Sequence, residues 1–326
     1  MTIISKENGN ALRGIFSIVV VCNHLAIRPA GGEVFRFIFS DAGMLAVGVF
    51  FFLSGYGLMK QHMSRRDYSK GFLKKRLPAV VIPYLLATIL FFFVSILWGA
   101  QYDIQGRISA IRAGEPLLPH SWYMLAIILY YIIFAMLMKL FCNSYGKLVL
   151  VAFAANTFVV ILFMVLGFGN WWYNSGMMFS TGIFAAYKEK EILKAIEYKR
   201  WLIAIAVIPC AVYFYFCRML VFGNARLMPG MPTVLQTFRA FFFLTIVLLL
   251  SANFNLKNPV ADFLGRYSFE IYLMQGFMLE GLRNEKLYIS NDILYIIATI
   301  VGTVIIAIPI CHISAKLIKI FGKAVK

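Results

Sequence analysis

The sequence predicts an all-α protein, a polytopic membrane helical bundle of about ten transmembrane helices, from its composition, the length of its apolar runs and the placement of its cations. Of 326 residues, 61% are hydrophobic and 14% charged, and the mean hydropathy is +0.80. Soluble domains carry roughly 25% charged residues. Apolar surface on this scale needs lipid as its solvent. A spanning helix takes about 20 mostly apolar residues, and for runs of this length only helices satisfy their backbone polar groups inside a bilayer. Residues 1–326 read as a single membrane-embedded domain with no separate soluble domain. Any chemistry then belongs to side chains within or at the edges of the bundle.

Apolar runs fall at 12–30, 43–59, 78–99, 121–141, 147–168, 172–187, 201–221, 234–252, 262–281 and 291–314. The sixth is short, and the ninth carries Asp262, Arg266 and Glu270. Ile27, Arg28 and Pro29 follow the first run in place of a small-residue cleavage site, so it reads as a retained helix rather than a signal peptide. Most of the 31 Lys and Arg lie in alternate connections, above all Lys60, Arg65, Arg66, Lys70, Lys74, Lys75 and Arg76. By the positive-inside rule both termini are cytoplasmic, in a multi-pass protein of the cell membrane. The longest outer loop, from Ala100 to Ser121, contains Gly and Pro that argue against another span, and it could form an entrance for an acceptor.

The net charge of +17 raises the question of nucleic acid. Because the cations sit between apolar runs, the lipid bilayer is the expected partner and nucleic acid is not. The five cysteines are odd in number and scattered, with neither a disulfide framework nor zinc spacing, and no metal site is expected. No internal repeat is visible, which counts against the inverted-repeat design of many transporters.

Arg13 and His24 lie eleven residues apart on the first helix. That is about three turns, placing both on one face roughly 16 Å apart. An ionisable group at membrane depth is costly unless it is paired or lines a wet cavity, which makes it a functional candidate. Imidazole titrates near neutrality and suits a general base. The bland reading has His24 bonded to a neighbouring helix and Arg13 anchoring the interface.

Five blocks, in order along nearly the whole chain, resemble the acyltransferase-3 family of integral membrane acyltransferases. Leu12-Arg13-Gly14 followed by Val20 to His24 resembles that family's Arg-x10-His signature. Gly43 to Gly57, GMLAVGVFFFLSGYG, is similar to its second-helix motif, and Phe72 to Tyr84, FLKKRLPAVVIPY, to its basic entry into the third helix. Pro119 to Met124 resembles its His-x-Trp-aromatic-Leu start of the fourth helix. Leu264 to Gln275, LGRYSFEIYLMQ, resembles a late block that often ends in His. Ala79 stands where the family often has a second arginine, and Gln275 where that late histidine falls.

The resemblance implies transfer of an acyl group, most often acetyl, from cytoplasmic acyl-CoA to a hydroxyl of a cell-surface polysaccharide or lipid-linked sugar. Acyl-CoA is then a co-substrate, and no tightly bound cofactor is expected. His24 would be catalytic, as general base or as a transient acyl carrier, with the base role favoured. Arg13, Arg76 and Lys75 would meet the phosphates of the donor, although Lys74 and Lys75 also read as ordinary positive-inside residues. His120, Trp122 and Tyr123 fit either acceptor contact or an interfacial aromatic belt. Ser54 and Tyr56 fit helix packing or the lining of a tunnel. Glu270 could orient His24, face a polar cavity or pair with Arg266 four residues earlier. His62 and His312 are not favoured. The competing function is a transporter or flippase for a glycan or acylated small molecule, since intramembrane Arg, Glu and His also mark substrate paths. A non-catalytic membrane subunit is the third reading.

Overall fold

Each of the ten apolar runs coincides with a helix, because a long run of Leu, Ile, Val and Phe leaves the backbone no other way to bond in lipid. A computed structural model of the chain describes residues 2–28, 30–65, 67–98, 104–142, 144–198, 200–222 and 230–324. Pro29, Arg66 and residues 99–103 lie outside the described residues. In chain order the helices are α1 (Lys6–Ile27), α2 (Glu33–Phe39), α3 (Ala42–Ser64), α4 (Phe72–Leu97), α5 (Ile104–Arg112), α6 (Trp122–Leu140) and α7 (Tyr145–Val165), followed by α8 (Met178–Tyr187), α9 (Glu189–Tyr198), α10 (Arg200–Phe222), α11 (Met231–Asn253), α12 (Pro259–Gly281) and α13 (Asp292–Ala324). No strand occurs among the described residues.

Seven of the described segments are long and apolar enough to cross a membrane: α1, Glu33–Ser64, α4, α6, α7, α11 and α13 up to Phe321. The other three runs differ for separate reasons. α8 has ten residues, about 15 Å of helix against a hydrocarbon core of about 30 Å. The described apolar stretch of α10 is Ile208–Leu220. α12 carries Asp262, Arg266, Glu270 and Glu280 along its 23 residues. The nine-residue α5 agrees with the outer loop being no span.

Two compact units divide the chain. One comprises Met1–Leu12, Met44–Lys70 and Ile133–Ala261. Within it α3 and α8 meet backbone to backbone: a Cβ on Gly55 would strike the Phe179 carbonyl, and one on Gly182 the Phe52 carbonyl. Small residues permit such an approach. Asn156 of α7 donates to the Gly176 carbonyl and to Ser180, both at 2.9 Å, tying down the turn that precedes α8. Tyr213 of α10 stacks on Phe242 of α11. Glu189 gathers three donors: the Ile3 N–H at 3.1 Å, the Tyr56 hydroxyl, and Lys60 at 2.9 Å. Asn8 donates to the carbonyls of Ser251 and Phe254 and accepts from the Leu256 N–H.

The other unit comprises Arg13–Gly43, Gly71–Ile132 and Asp262–Lys326. Val21 and Leu25 of α1, Ile271 and Leu279 of α12, and Tyr295 and Ala307 of α13 form its fully buried core. The Tyr295 hydroxyl donates to the Leu279 carbonyl at 2.8 Å. Arg283 donates to Asp292 at 2.5 Å, and Asp292 in turn accepts from the Gly31 N–H. These contacts fix the ends of α1, α12 and α13 around the candidate site.

Candidate active site

The site grows from α1. Asn23 donates to the Phe39 carbonyl at 2.7 Å, and Gly43, the first glycine of the second motif, leaves the space that the Asn23 side chain fills. This fixes the rotation of the helix at the next residue, His24, whose ring stays partly exposed between buried Asn23 and Leu25. The rings of His24 and His120 lie with centroids 4.1 Å apart and planes at 40°.

His120 is not helical. It occupies the turn before α6 with φ +64°, the one non-glycine residue at positive φ among the described residues. Such a conformation costs about 1–2 kcal/mol for an L-residue, and it persists only where surrounding contacts impose it. Here the Tyr272 hydroxyl donates to the His120 carbonyl at 2.6 Å and accepts from the Tyr123 N–H at 3.2 Å. Ser121 donates to the Leu118 carbonyl at 2.6 Å. Gly276 lets α12 close on the turn: a Cβ there would sit 3.3 Å from the Pro119 oxygen and 3.7 Å from His120 Cδ2. His120 Nε2 is buried with no hydrogen-bond partner.

Burial first, and the positive charge of Arg28 second, push the His120 imidazole down to about 4 from its ordinary 6.5. Arg28 lies one turn beyond His24, donating to the Leu279 carbonyl at 3.1 Å and to Glu280 at 3.4 Å. Between pH 6.5 and 4 the unfolded chain binds a proton at this position that the folded chain refuses, so stability falls as pH drops through that window, by at most about 3 kcal/mol. Thermal midpoints in detergent across this range should decline less steeply for His120→Gln than for the wild type.

Trp122 and Tyr123 are buried, and Tyr123 packs edge-on against Tyr272 at 5.5 Å. A belt residue would face lipid, so their placement favours the interior. Three turns before His24, Arg13 is exposed. It lies within electrostatic range of Arg76, Tyr123 and Tyr131 and has no acidic partner among the described residues. Arg76 is half-buried, whereas Lys75 is exposed near the start of α4.

The structure brings Arg13, Arg76, His24, His120, Trp122 and Tyr123 together within one unit. Ser54 and Tyr56 belong to the other, where Ser54 is half-buried and the Tyr56 hydroxyl is engaged by Glu189. Glu270 is buried and faces the Cys311 thiol of α13, while Arg266 is exposed, so the anticipated ion pair does not form. No group of three metal-ligating side chains occurs among the described residues. Sequence reasoning missed Tyr272 and Arg28 as site residues. Tyr272 sits inside the late block, three residues before Gln275, and its part in holding the His120 turn had no signal there beyond that position.

The family model described as an acyltransferase domain, that of acyltransferase-3, matches residues 9–312. The chain belongs to the acyltransferase-3 family. Comparison with curated proteins and with solved structures gives no match. It is thus a multi-pass membrane acyltransferase, and the match spans every candidate residue from Arg13 to Glu270. The groups brought together here, two imidazoles and the guanidinium groups of Arg13, Arg28 and Arg76, are of the kind that can move a proton and hold an anion.

Proposed function

We propose that the enzyme transfers an acetyl group from cytoplasmic acetyl-CoA to a hydroxyl of a cell-surface polysaccharide or lipid-linked sugar, with His24 as general base. The observation that carries this reading is the His24–His120 ring pair at 4.1 Å, with His24 on the same helix as an Arg13 that lacks an acidic partner among the described residues. His24 takes the proton of the acceptor hydroxyl as its oxygen bonds to the thioester carbon. The C–S bond then breaks, and the departing thiolate recovers the proton as CoA–SH. Arg13 and Arg76, with Lys75 at the mouth, neutralise the donor phosphates. His120, Trp122 and Tyr123 line the acceptor side. Tyr56 is engaged by Glu189 and Glu270 faces Cys311, so these two and Ser54 are assigned no step in the transfer and would at most shape the tunnel.

The distribution of cations supports a cytoplasmic location of both termini in a cell-membrane protein, and for the N-terminus the association of the loops supports it as well. Residues 3–8 bond to Glu189 and to Ser251–Leu256, all in segments assigned to the inner side by charge. Gly31, Arg283 and Asp292, assigned to the outer side, bond to one another.

Mass spectrometry of envelope glycans from cells with and without the gene tests the reading. The expected result is an acetyl increment on one glycan that is lost on deletion and restored by the wild-type gene. An acetylation pattern indifferent to the gene rejects the acetyl donor and the glycan acceptor together. Arg13→Gln should raise KM for acetyl-CoA about tenfold or more, the worth of one charge-assisted hydrogen bond, with a smaller change in kcat. Steady-state kinetics in membrane vesicles would read this split.

A further inference from the structure

A general base explains one histidine of the pair and leaves the other without a task. An in-plane hydrogen bond between two imidazoles, with nitrogens about 2.9 Å apart, would separate the ring centroids by about 5 Å. At 4.1 Å with planes tilted by 40° the rings overlap, so His120 neither fixes the tautomer of His24 nor relays its proton directly. Its Nε2 is buried without a partner, although a buried polar atom left unpaired costs about 1–3 kcal/mol. The backbone that aims this ring is held at φ +64° by the Tyr272 hydroxyl. An unpaired group held by a strained backbone beside a candidate base is what a site looks like before its substrate arrives.

Resting on the acyl-transfer reading above, we propose that His120 is a second catalytic imidazole, whose Nε2–H donates to the thioester carbonyl oxygen and stabilises the oxyanion that forms there. The acceptor O–H proton passes to His24, the acceptor oxygen bonds to the carbonyl carbon, and the negative charge collects on the carbonyl oxygen facing His120. Collapse re-forms the carbonyl and breaks the C–S bond, and His24 returns its proton to the thiolate sulfur. The His120 proton is shared and never transferred. This division needs a neutral donor beside a base that becomes a cation, and the low proton affinity of His120 under the field of Arg28 meets that need. Preorganised donors of this kind are worth about 100-fold or more in rate. Arg28, just past the end of α1, acts on both histidines; beyond it, Tyr123 on α6 and Tyr84 on α4 lie within range of Tyr272 on α12, and Glu280 and Arg283 within range of Tyr295 on α13. Glu280, the carboxylate among them, is engaged by Arg28.

The test uses inverted membrane vesicles from cells lacking the native gene, supplied with radiolabelled acetyl-CoA and carrying wild type, His120→Phe, His120→Gln, His120→Asn or His24→Gln at matched abundance. The amide nitrogen of Gln reaches the position of Nε2, whereas that of Asn reaches only Nδ1. The expected result is a kcat about 100-fold lower for His120→Phe, an unchanged KM for acetyl-CoA, and partial recovery of kcat by Gln and not by Asn. Asn adopts positive φ more readily than Gln, so a purely structural role would reverse the order of the two amides. Wild-type kcat in His120→Phe, or Asn matching or exceeding Gln, would each overturn the proposal. Full transfer by His24→Gln would overturn the base role of His24 on which the proposal rests, and wild-type vesicles that transfer no more label than vesicles lacking the gene would overturn the acyl-transfer reading itself.

Discussion

Vesicles carrying His24→Gln at wild-type abundance should transfer acetyl groups about a thousandfold more slowly than wild type, within the range of about 10² to 10⁴ lost when a positioned general base is removed. The deficit should lie in kcat, with acetyl-CoA binding retained, because the proposed donor contact, Arg13, lies three turns away along α1, near Arg76 of α4. Glutamine keeps a polar side chain of similar length next to Asn23, so the bond from Asn23 to the Phe39 carbonyl and the rotation of the helix should survive. A fall in abundance accompanied by normal specific activity would assign His24 to stability alone. The same membranes separate the two roles open to the imidazole. A base gives no CoA–SH until an acceptor is present, whereas an acyl-carrying histidine gives a stoichiometric burst of CoA–SH from donor alone. The tilted overlap with His120 favours the first outcome, since an acyl group on His24 would compete with the neighbouring ring for space.

Helix placement was legible because membrane helices follow from composition: each apolar run is helical, and α12 is a helix despite its four charged residues. Length was less legible than existence. The sixth run reads as 172–187, but α8 begins only at Met178, since Asn174 to Met177 form a turn anchored by Asn156, a partner on another helix. The short helices α2, α5 and α9 went unseen because seven to ten residues are too few to span a bilayer or to stand out as a run. At the site, spacing along one helix disclosed that Arg13 and His24 share a face, but spacing cannot say what stands opposite. The ring facing His24 comes from a different element, and its orientation depends on a hydroxyl of a third, Tyr272. Glu270 shows the same limit from the other direction. Its four-residue spacing from Arg266 suits an ion pair, yet the carboxylate turns inward to Cys311 while the longer arginine side chain reaches outward.

Two glycines two residues apart on α3 should respond to alanine in opposite directions. Gly55→Ala should lower stability by about 3 kcal/mol, at the upper end of overpacking costs, because its Cβ would overlap the Phe179 carbonyl and approach the Ile183 nitrogen to 3.3 Å. Backbone cannot step aside as a flexible side chain can, and α8 is held from behind by Ser180, which bonds both Asn156 and the Ala152 carbonyl. Gly182→Ala should behave likewise, since its Cβ would strike the Phe52 carbonyl from the opposite side of the same contact. At Gly57 a Cβ meets nothing within 4 Å, and there alanine removes only the conformational freedom of glycine within a helix, a gain of about 0.5–1 kcal/mol. Thermal midpoints of the purified proteins in one detergent would read all three. Equal responses at 55 and 57 would mean that α3 and α8 do not approach backbone to backbone, whereas opposite responses make Gly55 a packing residue of that contact.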